Sequence, residues 1–269
     1  MATVEETAER TQVKWRSIAL PVEHGGWGFT LEPMILGLLV AYSAAAWEIS
    51  VAALALFLAR RPFKLATTDL VRRRWLPRST ISAAFAATYG LIALAGVVGA
   101  TVTAEAPFWQ PLIPAMPLAG IAIYADAHSR SRTLVAEMAG SIAMGATVAM
   151  IALADGWEIA TAFGLWLVLT ARAVTTVALV RGQIRRVHGR PAGEAAIYMV
   201  QTATVVLMAV AAIADIVPWM SVVAIVAIGV LAYISLRRRP VAAQTVGWTQ
   251  IVVGLGVVLL TAIGVWLTW

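Results

Sequence analysis

Nine stretches of mostly apolar residues follow one another along this chain, near 28–46, 49–67, 81–101, 108–126, 134–154, 157–179, 194–214, 217–236 and 248–268, with short polar joints between them. An α-helix needs about 20 such residues to cross about 30 Å of hydrocarbon. Hydrocarbon offers no partner to a peptide N–H or C=O, so a crossing segment must satisfy its backbone internally, as a helix does. The pattern predicts an all-α fold, a polytopic transmembrane helical bundle of about nine spans. Joints this short predict a leading segment (1–27, a cytoplasmic tail and the motif that follows it) and a single transmembrane helical domain (28–269). Composition agrees, with 61% of the 269 residues hydrophobic and 13% charged, against roughly 25% charged in soluble domains. The opening residues, MATVEETAERTQVKWRS, lack the apolar core of a signal peptide. With no cysteine in the chain, disulfides, thiol nucleophiles and cysteine–metal sites are excluded.

The net charge is +6, and its distribution says why. Threading nine spans from a cytoplasmic N-terminus puts all 20 Lys and Arg on the cytoplasmic side or in a cytoplasmic half-helix. Glu48, Glu105, Asp155, Glu158 and Asp215 fall on the opposite side. That is the positive-inside pattern. The basic balance therefore marks topology, not a nucleic-acid partner, and predicts an external C-terminus. Trp15, Trp47, Trp109, Trp157, Trp219, Trp248 and Trp269 fall near span ends, where amphipathic rings favour the headgroup zone. Ser141 with Gly145, and Gly254, Gly256 and Gly264, are small residues of the kind that let helices approach closely in lipid.

Charges inside spans are costly and usually face a protein interior or a wet cavity. The second span must include Arg60, Arg61, Pro62 and Lys64 to be long enough, and at 3.6 residues per turn Arg60, Lys64 and Thr67 share a face. The sixth contains Arg172, on a face with Thr176, Gln183 and Arg186. Arg60 and Arg74, like Arg172 and Arg186, are fourteen residues apart, a spacing open to chance or to a four-helix repeat. After the fourth span, YADAHSRSRTLVAEMAG gathers Tyr124, Asp126, His128, Arg130, Arg132 and Glu137. Such a group binds and protonates an anion, or pairs internally as a turn, and both readings stand.

Before the first long run, LPVEHGGWGFTLEP places Glu23, His24, Trp27 and Glu32 beside three glycines and Pro33. Pro33 lacks an N–H, so the Phe29 carbonyl loses its helical partner. Glu23, His24 and Glu32 are expected to line the mouth of one cytoplasm-facing cavity with Arg60, Arg130 and Arg172, or to pair structurally with one of those arginines. Together with Trp27 they are expected to approach Arg60 and Lys64. Arg172 cannot lose its proton, so it needs Glu32, Asp69, Asp126, Glu137 or a bound anion as partner, and the anion is favoured here. Arg61, Asp69, Arg181 and Arg185 complete the candidate binding set. His24, His128 and His188 show no metal-ligand spacing, and no metal or other cofactor is expected.

Two resemblances follow from these residues. LPVEHGGWGFTLEPMILGLL, then FLARRPFKLATTD and SRSRTLVAEMAG, resemble the YwiC-like family of bacterial membrane proteins over most of the chain. The likeness implies the bacterial cytoplasmic (inner) membrane and carries no activity with it. Nine spans with polar segments after the second and sixth, and the run from Tyr124 to Gly140, are similar to the UbiA superfamily of intramembrane prenyltransferases. That likeness implies a UbiA-like arrangement. The aspartate-rich motifs that hold Mg²⁺ on a prenyl diphosphate there are replaced by ARRPFKLATTDLVRRR and VRGQIRRVHGRP, leaving Asp69 as the one carboxylate. The expectation is an arginine-lined cavity for an amphiphilic anion, isoprenoid or phospholipid-like. Two classes of function are open. One is a lipid- or prenyl-modifying enzyme without metal motifs; the other is a non-enzymatic transporter or accessory subunit of a membrane complex.

Overall fold

The computed structural model describes residues 18–20, 24–73, 76–128, 130 and 132–269, without the side chains of 24 and 25. Among these residues nine long helices follow in order: α1 (His24–Val40), α2 (Ala44–Val71), α3 (Pro77–Thr103), α4 (Leu112–Ala127), α5 (Leu134–Ala154), α6 (Ile159–Val187), α7 (Glu194–Ile213), α8 (Trp219–Arg237) and α9 (Ala243–Thr268). Six of them, α3 and α5 to α9, are long and apolar enough to cross a membrane, while α1 and α4 are shorter apolar helices. With 28 residues, α2 extends about 42 Å at 1.5 Å per residue, and its charges cluster beyond residue 59.

Helix ends follow local chemistry. Ser43 accepts from the Ala46 N–H at 3.2 Å and starts α2. That cap ends α1 at Val40 and splits the first expected span, 28–46, which begins earlier and closes six residues sooner. Pro77 opens α3, where its missing N–H costs nothing, and the Ser79 hydroxyl takes the Leu76 N–H at 3.0 Å. Thr133 caps α5 through Ala136.

Contacts at both ends fix an alternating bundle. At one end Arg78 of α3 meets Asp69 of α2, Arg181 of α6 meets Glu137 of α5, and Arg186 of α6 donates to the carbonyls of Ser235 and Arg238. We call this the basic end. At the other, Thr103 of α3 donates to Glu48 of α2, Trp266 of α9 donates to the Leu39 carbonyl, and Trp157 packs edge-on against Trp269. Between them α1 lies against α5 and α9 and also touches α2 and α6.

Among the described residues three buried clusters hold the bundle. One joins Leu36, Ile49, Ile151, Leu165 and Val258, a second joins Val168, Met208, Ile225 and Val257, and a third joins Leu179, Ile197, Ala232 and Leu236. Lipid tails are as apolar as leucine, so close packing rather than water exclusion must hold such helices together. Buried alanines accordingly crowd α5, among them Ala146, Ala149, Ala152 and Ala154. Gly145 lies against Trp166 and Gly264 against Pro218, close approaches of the kind small residues permit, whereas Gly256 faces open space. Outward faces are apolar, as with Leu91, Leu94, Val98 and Val102 of α3. Trp47, Trp109, Trp219, Trp248 and Trp269 are exposed near helix ends.

Candidate functional site

In the middle of the bundle Arg172 of α6 donates through Nη2 to Glu32 Oε1 of α1 at 2.8 Å and to the Gln250 carbonyl of α9 at 2.9 Å. The two side chains are 3% and 5% exposed. Glu32 sits one helical turn past Phe29, whose ring centroid lies 4.8 Å from the guanidinium carbon of Arg172, within range of a cation–π contact. Pro33 follows directly and leaves α1 short of one internal hydrogen bond. On the α9 side, Gly254 faces the pair, and a Cβ there would collide with Glu32 Oε1. A glycine at this position is therefore what lets three helices close around the charges. Arg172 Nε and Nη1 are buried and have no hydrogen-bond partner, and neither do Thr176 Oγ1 and Gln250 Oε1. A guanidinium carries five N–H donors, so most of its donor capacity is unpartnered.

The other expected residues separate into distinct contacts. Asp126, near the end of α4, accepts from Arg60 Nε at 3.0 Å and Lys64 Nζ at 2.7 Å, which bears out the shared face of those two bases. Both oxygens of Asp69 are bonded to Arg78, at 2.9 and 3.1 Å, and one also accepts from the Ser79 hydroxyl at 2.7 Å. Arg181 donates to Glu137 at 2.8 Å and to the Arg132 carbonyl at 3.0 Å. The His128 ring lies against Tyr124, centroids 4.1 Å apart, with Nδ1 2.9 Å from the Tyr124 carbonyl. Arg130, Arg132 and Arg185 are exposed, and Arg61 is half-buried.

The leading motif goes to a different place from the one expected. Trp27 does reach α2, edge-on to Phe57 with centroids 5.2 Å apart. Glu32 pairs with Arg172 instead of joining Arg60 and Lys64, because those two bases already hold Asp126. His24 begins α1, and its side chain and the whole of Glu23 lie outside the described residues. Of the carboxylates open to Arg172, the structure brings Glu32 to it. The paired arginine spacings do not mark equivalent environments, since the Arg60 side chain is 46% exposed and that of Arg172 3%.

Gln250 and Gly254 escaped the candidate set. The glycine stood out only as a small residue for packing, and nothing near Gln250 in the sequence distinguishes it from an ordinary polar residue close to a span end.

A family model described as YwiC-like protein matches residues 20–152. These residues belong to the YwiC-like family. The match ends inside α5, so it covers less of the chain than the sequence likeness implied. No curated protein and no solved structure matches the chain. The YwiC-like part supplies Glu32, Asp126 and Glu137, while Arg172 and Arg181 lie beyond it. Two ion pairs thus tie the YwiC-like half to the remaining helices.

Proposed function

We propose that this YwiC-like chain sits in the bacterial cytoplasmic membrane with its basic end inward and binds an amphiphilic anion, isoprenoid or phospholipid-like, whose headgroup is held by Arg172. The observation that carries the reading is the pair of buried, unpartnered nitrogens on that guanidinium. Charged side chains at membrane depth characteristically mark substrate or ion pathways, and guanidinium groups suit phosphate oxygens. An apolar cavity of about 230 Å³, lined by Ala224, Ile228 and Leu231 of α8 and Val253, Val257 and Leu260 of α9, offers space for part of a hydrocarbon tail. It borders the turn of α9 that carries Gly254.

The prenyl-transfer form of this reading, with a UbiA-like arrangement, finds no support in the carboxylates. Mg²⁺ on a diphosphate needs hard oxygen ligands. Asp69 is engaged by Arg78 and Ser79, and among the described residues no three His, Asp or Glu side chains gather in a metal-binding group. Binding without chemistry, in a transporter or an accessory subunit, is the second reading. It is favoured by the position of the Glu32–Arg172 pair between a proline-containing α1 and α6; broken helices near the bilayer centre serve as sites in transporters.

The test is native mass spectrometry of the chain extracted in mild detergent. The wild-type protein is expected to retain an acidic lipid or isoprenoid. Arg172→Lys keeps the charge, loses the planar array of donors, and should retain much less. An equal lipid complement in both proteins rejects Arg172 as the headgroup site.

A further inference from the structure

The charges around Arg172 can be followed helix by helix. Glu32 is the one ionisable side chain of α1 between Gly25 and Val40, and α9, which closes over the pair through Gly254, has none from Ala243 to Thr268. The other helices that touch α1 are α2, α5 and α6. On α5 the charged residue is Glu137, bonded to Arg181 of α6. Arg181 is nine residues beyond Arg172, about 14 Å along the axis at 1.5 Å per residue, and Arg185 and Arg186 are farther. On α2, Phe57 lies level with Trp27. Arg60 is three residues past Phe57 toward the basic end, and Glu32 is five past Trp27 the other way. Those eight residues separate them by about 12 Å along the axis, and Arg61, Lys64 and Asp69 are farther still. Glu48 is nearer in level, but it leaves α2 on the side opposite Phe57 and accepts from Thr103 of α3.

Among the described residues, then, no further charge faces the Glu32–Arg172 pair within about 12 Å along the bundle, and the pair itself sums to zero. An anionic headgroup on the unpartnered nitrogens of Arg172 adds one negative charge in excess. No other cation stands close enough to offset it, and an unbalanced charge away from water is far costlier than a balanced pair. Arg172 cannot lose or gain a proton. Glu32 is the group that can adjust.

Resting on the function proposed above, we propose that the headgroup is a monoanion of the phosphodiester class and that Glu32 takes up one proton from solvent as it binds. The neutral carboxyl then leaves one guanidinium to balance one phosphodiester charge. A diphosphate, with two or more charges, stays unbalanced in the same place. Coupling between two ligands is reciprocal. The headgroup therefore strengthens proton binding at Glu32, and lower pH strengthens headgroup binding.

The test uses probes with one tail and different heads on the purified full chain in a nonionic detergent. They are dioctanoylphosphatidylglycerol, a phosphodiester, and dioctanoylglycerol diphosphate, with dioctanoylglycerol as the blank for tail binding. Titration calorimetry in buffers of different ionisation enthalpy counts the protons taken up. At about pH 8 roughly one proton per phosphatidylglycerol is expected, with affinity falling about tenfold for each further pH unit. The diphosphate should bind at least about tenfold more weakly than the phosphodiester, because its extra charge has no partner. Glu32→Gln holds the neutral form permanently, so its affinity for phosphatidylglycerol should stay constant over the same range. Should that variant fail to fold, the proton count on the unaltered chain decides alone. Phosphatidylglycerol bound at constant affinity with no proton uptake overturns the proposal and leaves the headgroup site standing, as does tighter binding of the diphosphate. If neither probe binds better than dioctanoylglycerol, the headgroup site and the proton coupling fall together.

Discussion

At the scale of single residues, the costliest feature is a full charge pair buried among helices. Removing one member of such a pair leaves an uncompensated charge at a cost of roughly 3–5 kcal/mol, while replacing both by apolar residues of similar volume is often neutral or better. Arg172→Ala should therefore lower the melting temperature in detergent sharply. Glu32→Leu combined with Arg172→Met should recover most of the loss. A double variant as unstable as the single one would mean that Glu32 is not the partner that makes Arg172 tolerable. The need for a partner was legible from the sequence, because a guanidinium stays protonated at any depth. Which carboxylate answers was not. Glu32, Asp69, Asp126 and Glu137 all lie at a suitable position along the chain, and the choice is made by helix packing. Gly254 lets α9 close over Glu32, and Arg60 and Lys64 take Asp126 out of reach.

At the scale of elements, periodicity and turn chemistry placed the helices well where the punctuation was strong. The fifth stretch, bounded by Thr133 and the Asp155–Gly156 turn, is α5 at both ends. The first stretch carried weak punctuation. One serine between Tyr42 and Ala44 caps α2, and a lone Ser within an apolar run looks the same as a packing residue. The loop after α4 left two readings open, anion binding or an internally paired turn. Its carboxylate is paired, though across to α2 rather than within the turn. Asp126 fastens the end of α4 to the middle of α2 through two bases that are 46% and 42% exposed, and pairs so open to solvent contribute roughly 0–1 kcal/mol. Asp126→Asn should thus leave the melting temperature within a few degrees of wild type while making the end of α4 more accessible to limited proteolysis near Arg130. A large loss of stability would show that this contact is much less solvent-screened than its geometry implies.

At the scale of the whole molecule, the inward orientation proposed for the basic end rests on the division of charge that marks it. All described Lys and Arg except Arg172 sit at or toward the basic end, and short loops rich in these residues are retained on the cytoplasmic side. In that orientation nine alternating helices put the start of α1 and the end of α9 on opposite sides. Two helices strain the picture. With 17 and 16 residues, α1 and α4 reach only about 25 Å at 1.5 Å per residue, short of about 30 Å of hydrocarbon. A short helix is accommodated by local thinning of the bilayer at modest cost, and α1 is shielded further because its neighbours α5, α9, α2 and α6 surround it. Topology therefore does not depend on each helix spanning unaided. Reporter fusions placed after Arg78, Arg190 and Arg239 should all report the cytoplasm, and a fusion after Trp269 should report the outside. If α1 or α4 instead dipped in and returned on the same side, every fusion beyond it would invert. An external signal after Arg78 would implicate α1, and a cytoplasmic signal after Arg78 with an external one after Arg190 would implicate α4.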